Sequence, residues 1–186
     1  LGERPMENIV IVDCIRTGLA KSHRGTFNMT RSDDLVAHCI DALLARNPQL
    51  DPGQVDDVVL GCGRQIGEQS GNVARHAVAL SQLPITVPAT TVSRACSSGL
   101  NSIAIAATQI ASGCAEIMLA GGVESITGLS RGTPGESAEN PRLMSEKPDM
   151  YMAMGNTAEV VARRYQVTRE AQDAYALSSQ QRYAAA

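Results

Sequence analysis

Residues 89–112 read ATTVSRACSSGLNSIAIAATQIAS, and this stretch decides the fold. Ala89–Val92 is short and rich in β-branched residues, the pattern of a strand. Ser97–Ser112 then places Leu100, Ile103, Ala104, Ala107, Ile110 and Ala111 at helical spacing. A strand that runs through a small-residue turn into a helix is the first half of a parallel crossover unit.

The same alternation recurs on both sides. Val55–Leu60 reads as a strand, followed by a Gly-rich turn and a helix from about Gly71 to Leu80. Glu116–Ala120 reads as another strand, closing on Gly121-Gly122, and the continuous run Ile9–Val12 reads as a strand buried on both faces. Arg31–Arg46 reads as an amphipathic helix, with Thr30 or Ser32 as cap, Asp33 and Asp34 in its first turn and Asn47-Pro48 as its stop. Repeated units of this kind predict an α/β fold, a mostly parallel sheet covered by helices on both faces.

The organisation changes after Val123. Residues 6–123 form the expected α/β domain, and residues 124–154 form a Gly-, Pro-, Ser- and Met-rich loop excursion. Helical signals return over 155–186, with Thr168 as an N-cap and Glu170 in the first turn. The last helix ends on Ala184-Ala185-Ala186 with no stop signal, so the chain reads as cut in mid-helix. Met6 reads as a start, with residues 1–5 as a tag scar or short extension.

Composition narrows the function. With 16 Lys+Arg against 19 Asp+Glu, net charge −3, one Phe and no Trp, the chain offers neither a basic stripe nor a stacking platform for nucleic acid. Its most apolar stretch, Ile103–Ala120, is interrupted by Gln109, Ser112 and Glu116, which argues against a membrane span. Cys14, Cys39, Cys62, Cys96 and Cys114 form no Cys-x-x-Cys pair; four of them lie in apolar runs, which suggests small hydrophobes in a reducing, cytoplasmic setting.

Cys96 is the sharpest chemical signal. It lies between a strand end and a helix start, where the helix dipole and free N–H groups favour a thiolate and backbone N–H groups suit an oxyanion. An inert buried Cys is the alternative reading. The run Gly61–Gly67 mimics a dinucleotide fingerprint, but Ala79–Leu83 lacks the acidic residue such a site needs, so a tight turn is favoured. The polar run Gln65–Asn72 is expected to line a surface or partner contact. His23, His38 and His76 stand at no metal-ligand spacing and read as surface or helix-face residues. Glu124 could orient a loop or act as a base, with a structural role favoured, while Arg16-Thr17 is open on physical grounds.

These segments together resemble the thiolases. Ile11–Thr17 is similar to the family's opening, Ser93–Leu100 to its nucleophile motif, and Gly121–Ser125 and Met154–Glu159 to two further segments in the family's order. Gly18, Ser93 and Ile126 depart from the usual Pro, Asn and Met. Pro141–Lys147, and Ala153 in place of a His, lean toward degradative 3-ketoacyl-CoA members rather than short-chain biosynthetic ones.

The resemblance implies acyl transfer between CoA thioesters through a Cys96 acyl-enzyme, with Met154 along the acyl-pantetheine channel. It also implies CoA thioesters as substrates, no metal or organic cofactor, and dimers or tetramers. The family draws its base His, a second Cys and an oxyanion-site Asn from a C-terminal half that has no counterpart in this sequence. The isolated 186 residues are therefore expected to be inactive, with an unpaired sheet edge and exposed apolar helix faces. A ketosynthase-like condensing enzyme fed by carrier-protein thioesters, and a non-catalytic acyl-CoA-binding or scaffold subunit, are the alternatives.

Overall fold

The computed structural model describes residues 9–129 and 140–186, in two compact units, Leu1–Pro134 and Gly135–Ala186. Residues 1–5, expected as a tag or extension, and residues 130–139 of the expected loop excursion lie outside the described residues.

In the first unit the elements run α1 (Ser32–Arg46), β1 (Asp57–Gly61), α2 (Val73–Leu80), β2 (Ala89–Val92), α3 (Ser98–Ala111), β3 (Met118–Gly122) and α4 (Ile126–Leu129). The sheet has the order β2-β1-β3 and both pairings are parallel, Val59 standing opposite Thr90 on one side and Ala120 on the other. Alternation along β1 divides its side chains between two layers. Val58, Leu60 and the adjoining Cys62 join Val36, Ile40 and Leu44 of α1 and Val73, Ala74, Ala77 and Val78 of α2 in one core. Gly61 turns the other way, onto Ser98 and Gly99 of α3. Both faces are thus covered and the chain is α/β, as the alternating pattern predicts.

Helix α3 packs differently from the expectation. Ser98, Ser102 and Ala106, four residues apart, are its buried face, while Leu100 is 73% exposed and Ile103 is also exposed. Gly61 and Gly122 bring sheet backbone against Gly99, and only small side chains fit between surfaces that close. Ser102 Oγ completes the seam by donating to the Gly99 or Gly121 carbonyl, both 2.7 Å away. The larger apolar stripe therefore faces outward.

The expected strand Ile9–Val12 is also corrected. The run pairs with no described strand, and Val12 is 79% exposed. β-propensity measures how well a residue fits a pleated, half-covered surface, and here no described ladder receives this run. It is anchored instead by Asp13, whose carboxylate accepts from Arg46 Nη2 at 2.7 Å and Asn47 Nδ2 at 2.9 Å at the end of α1. The hydrogen bond from Asn47, with help from Arg46, lowers the Asp13 pKa.

Helix α1 takes its cap from a distance. Neither Thr30 nor Ser32 caps it; the Glu68 carboxylate accepts the Ser32 N–H at 3.1 Å, and Arg31 pairs with Asp33 at 2.7 Å. Helix α2 is capped by Asn72, which accepts from Arg75 N at 3.2 Å and donates to the Ala89 carbonyl at 2.8 Å.

The second unit holds α5 (Pro141–Glu146), α6 (Met154–Arg164) and α7 (Arg169–Ala185). Asn140 caps α5, and Thr168 caps α7 through Ala171 N, as its sequence suggests. Among its described residues none is buried. No described helix is long and apolar enough to cross a membrane.

Candidate active site: the Cys96 turn

Strand β2 ends at Val92, whose carbonyl accepts the Cys62 N–H at 2.9 Å and carries the ladder one step past β1. The chain then reverses within five residues to enter α3. Ala95, directly before Cys96, has φ +46°, a left-handed conformation that costs a non-glycine residue roughly 1–2 kcal/mol. Ser98 holds it there. Its hydroxyl accepts from Arg94 N at 2.8 Å and donates to the Ala95 carbonyl at 2.6 Å.

Cys96 projects from this turn as an exposed thiol. The N–H groups of Ser97 and Ser98 donate back to the Arg94 and Ala95 carbonyls at 3.0 and 3.1 Å. Two of the donors expected to face the thiol are therefore used inside the turn, because a reversal this tight must satisfy its own carbonyls. Among the described residues no histidine hydrogen-bonds the Cys96 sulfur; His38 and His76 are exposed on α1 and α2, and His23 N donates to Thr127 Oγ1.

The turn rests on two loops from other strands. Gly63 follows β1, and a Cβ there would sit 3.2 Å from the Ala95 carbonyl oxygen. Ser93 Oγ lies 3.3 Å from the Gly63 carbonyl and donates to it. Gly63 N–H in turn donates to Glu124 Oε2 at 2.8 Å, and Gln69 Nε2 donates to Glu124 Oε1 at 2.8 Å. Gln69 also reaches the Arg64 carbonyl, and its oxygen accepts the Ser125 N–H. Both oxygens of Glu124 are thus engaged in holding loops together. Of the two roles left open for it, the structure supports the structural one.

Gln69 is the residue that sequence reasoning missed. It is 0% exposed, not part of a surface as expected of the run Gln65–Asn72. No local pattern marks it, since its partners lie 55 and 56 residues onward.

The remaining sequence candidates play other parts. Gly61 lies in β1 and Gly67, at φ +59°, opens a short 3-10 turn, so the Gly61–Gly67 run serves packing and chain reversal. Met154 opens α6 in the second unit and is 70% exposed. A cavity of about 400 Å³ lies between the 15–28 segment, α1 and β3, lined by Arg16, Thr17, Leu35 and Ile40; Cys96 is not among its walls. Of the five cysteines only Cys62 is buried, so the expected hydrophobic role fails for Cys14 and Cys114, which are exposed. Burial, and then the nearby Glu124 charge, push the Cys62 thiol pKa up; burial does the same at Cys39.

Comparison with known proteins adds a second line of observation. The family profile of the thiolase N-terminal domain matches residues 9–186. A 3-ketoacyl-CoA thiolase of Erwinia tasmaniensis is 44% identical over 183 residues, covering 97% of this chain and 46% of the relative. One from Bacillus subtilis is 43% identical over 181 residues, with 97% and 46% covered, and one from Escherichia coli is 43% identical over 179, with 95% and 45% covered. The chain spans about half the length of the curated relatives it matches. An α/β sheet with a cysteine on the reversal after β2, matched along nearly its whole length, belongs to the thiolase family, within that family's N-terminal domain.

Proposed function

We propose that this chain carries the nucleophile of a 3-ketoacyl-CoA thiolase and that Cys96 is that nucleophile. The observation that carries the reading is the exposed thiol on a strained, side-chain-braced turn at the carboxyl end of a parallel strand, where such sheets gather their chemistry. In the thiolytic direction the Cys96 sulfur attacks the 3-keto carbon. The bond between C2 and C3 breaks, its electron pair leaves on C2 as an acetyl-CoA carbanion that takes a proton, and the acyl group remains on sulfur. CoA thiolate then attacks this thioester, releasing the shortened acyl-CoA and returning the Cys96 thiolate. Condensation of two acetyl-CoA molecules is the reverse. No metal or organic cofactor is needed in either direction, because the substrate's own thioester carbonyl stabilises the C2 carbanion and the acyl group is carried as a thioester on Cys96.

A base must take the proton from Cys96 and a second group must serve C2. No described histidine bonds the thiol, so we propose that the 186 residues by themselves do not turn over, and that any acylation is slow, by unassisted attack of the exposed Cys96 thiol. Met154 is proposed to line the path of the acyl-pantetheine arm. Self-association is proposed as well, supported by the outward Leu100 and Ile103 on α3. A cytoplasmic location fits a cysteine set that uses no disulfide.

Intact mass after brief exposure to acetyl-CoA tests the acylation step. An acetyl adduct of about 42 Da (the added C₂H₂O) that disappears in Cys96→Ser is the expected result. An adduct of equal yield in Cys96→Ser refutes the assignment of the nucleophile. Partner binding that persists in Cys96→Ser, with no acylation in any form, favours a scaffold.

A further inference from the structure

We infer that Gln69 is a positioning residue for Cys96, acting through Glu124 and Gly63; this rests on the reading of Cys96 as the reactive thiol. Its amide is wholly buried; one contact stays within its own loop after β1, at the Arg64 carbonyl, and two cross to the loop after β3, at Glu124 and Ser125. Glu124 passes the constraint on, because its second oxygen holds the Gly63 N–H. Gly63 is the floor under the nucleophile turn, against the Ala95 carbonyl and bonded to Ser93 Oγ.

Ala95 makes this support necessary. A left-handed alanine relaxes toward an ordinary backbone unless its surroundings over-determine it. Ser98 braces the turn from the helix side, and the Gln69–Glu124–Gly63 chain is the brace on the opposite side. Each link is a hydrogen bond of 2.8 Å, and two of the three groups have no freedom to re-pair. The Gln69 amide is sealed from water, and the Gly63 N–H has one fixed direction.

The donor order can be reversed, which supplies the test. In Gln69→Glu two carboxylates face each other, and in Glu124→Gln an amide N–H₂ meets a donor; both single variants break the chain. In the double variant the new amide at position 124 donates to the new carboxylate at position 69, while its oxygen still accepts from Gly63. Only the Arg64 carbonyl then loses a donor, and it keeps those of the Ile66 N–H and the Cys62 thiol. Four proteins are compared by hydrogen exchange of the segment 93–100 and by acetylation of Cys96 with acetyl-CoA. Alkylation of Cys96 by iodoacetamide is measured against the exposed Cys114.

Each single variant is expected to speed exchange of 93–100 and slow acetylation by about tenfold or more, and the double variant to return to within about threefold of the parent. Parent-like exchange of 93–100 in both single variants, with loosening confined to 62–70 and 123–125, overturns the proposal. So does a double variant no better than the worse single. If the single variants fail to fold, Gln69→Met keeps the volume and removes the amide, and the same exchange criterion decides. Should the parent itself take no acetyl group, the acyl-transfer reading falls, while exchange and alkylation still decide whether Gln69 positions the turn.

Discussion

Adding one methyl group at Gly61 should separate the Cys96 turn from the sheet. A Cβ built there lies inside van der Waals range of the Ser98 carbonyl group and 2.5 Å from Gly99 N, all of them backbone atoms. Carbon-to-nitrogen contact needs roughly 3.4–3.5 Å, so the start of α3 must withdraw by about 1 Å. No rotamer change can relieve this. Overpacking alone typically costs about 1–3 kcal/mol, and here the Ser102 bond to the Gly121 carbonyl is stretched as well, so we expect a loss of about 3 kcal/mol. A displacement of about 1 Å at a reacting group can cost on the order of 100-fold in rate. Gly121→Ala is the matched control on β3, since its Cβ would meet only Leu60 Cδ1 at 4.0 Å. Urea midpoints and acetylation rates of Gly61→Ala, Gly121→Ala and the parent decide the matter. If Gly61→Ala unfolds within about 0.5 kcal/mol of the parent and acetylates at the parent rate, the close packing of β1 on α3 is not what fixes the turn.

Four other outcomes follow from the same geometry. Asn72→Ala removes the α2 cap and the tie to the Ala89 carbonyl, and should lower stability by about 2 kcal/mol in a urea titration. Burial raises the Asp57 pKa from its ordinary value of 3.8, only partly opposed by the Val58 N–H. Its contribution to stability is therefore present below pH 3.8 and lost as pH rises through the folded value, so Asp57→Asn should gain stability over the parent at pH 7 and lose that gain in acid. Asp56 runs the other way, because bonds from Glu116 N and Ile117 N lower its pKa: its contribution is present above pH 3.8 and lost as pH falls through the depressed value, so Asp56→Asn should be destabilised at pH 7 and not at about pH 2. Iodoacetamide mapping at neutral pH should modify Cys96, Cys14 and Cys114 well before Cys62, whose thiol is buried and whose pKa is raised; rapid labelling of Cys62 in the folded protein would contradict its placement.

Much of this molecule is local, and the local part was legible. The strand at Ala89–Val92 is as expected, the helix after it lies within one residue of its expected bounds, and the cap at Thr168 is where its residue type suggests. Periodicity and capping depend on neighbours within a few residues, so a single sequence displays them. The Cys96 turn belongs to the same class, because a cysteine between a strand end and a small-residue helix start is a local arrangement.

What the sequence could not display is which distant groups meet. Glu68 caps α1 from 36 residues away, Glu124 reaches back 61 residues to Gly63, and Gln69 is sealed in the interior though it sits in a polar run. The run Ile9–Val12 has every mark of a strand and pairs with none of the described strands, while α3 turns its small residues, not its large ones, to the sheet. By itself the sequence determined the α/β alternation and the place of Cys96 between a strand end and a helix start. Only the tertiary structure decided what braces that cysteine, because burial and hydrogen-bond partnership belong to pairs of residues brought together by the sheet, and no one residue type carries them.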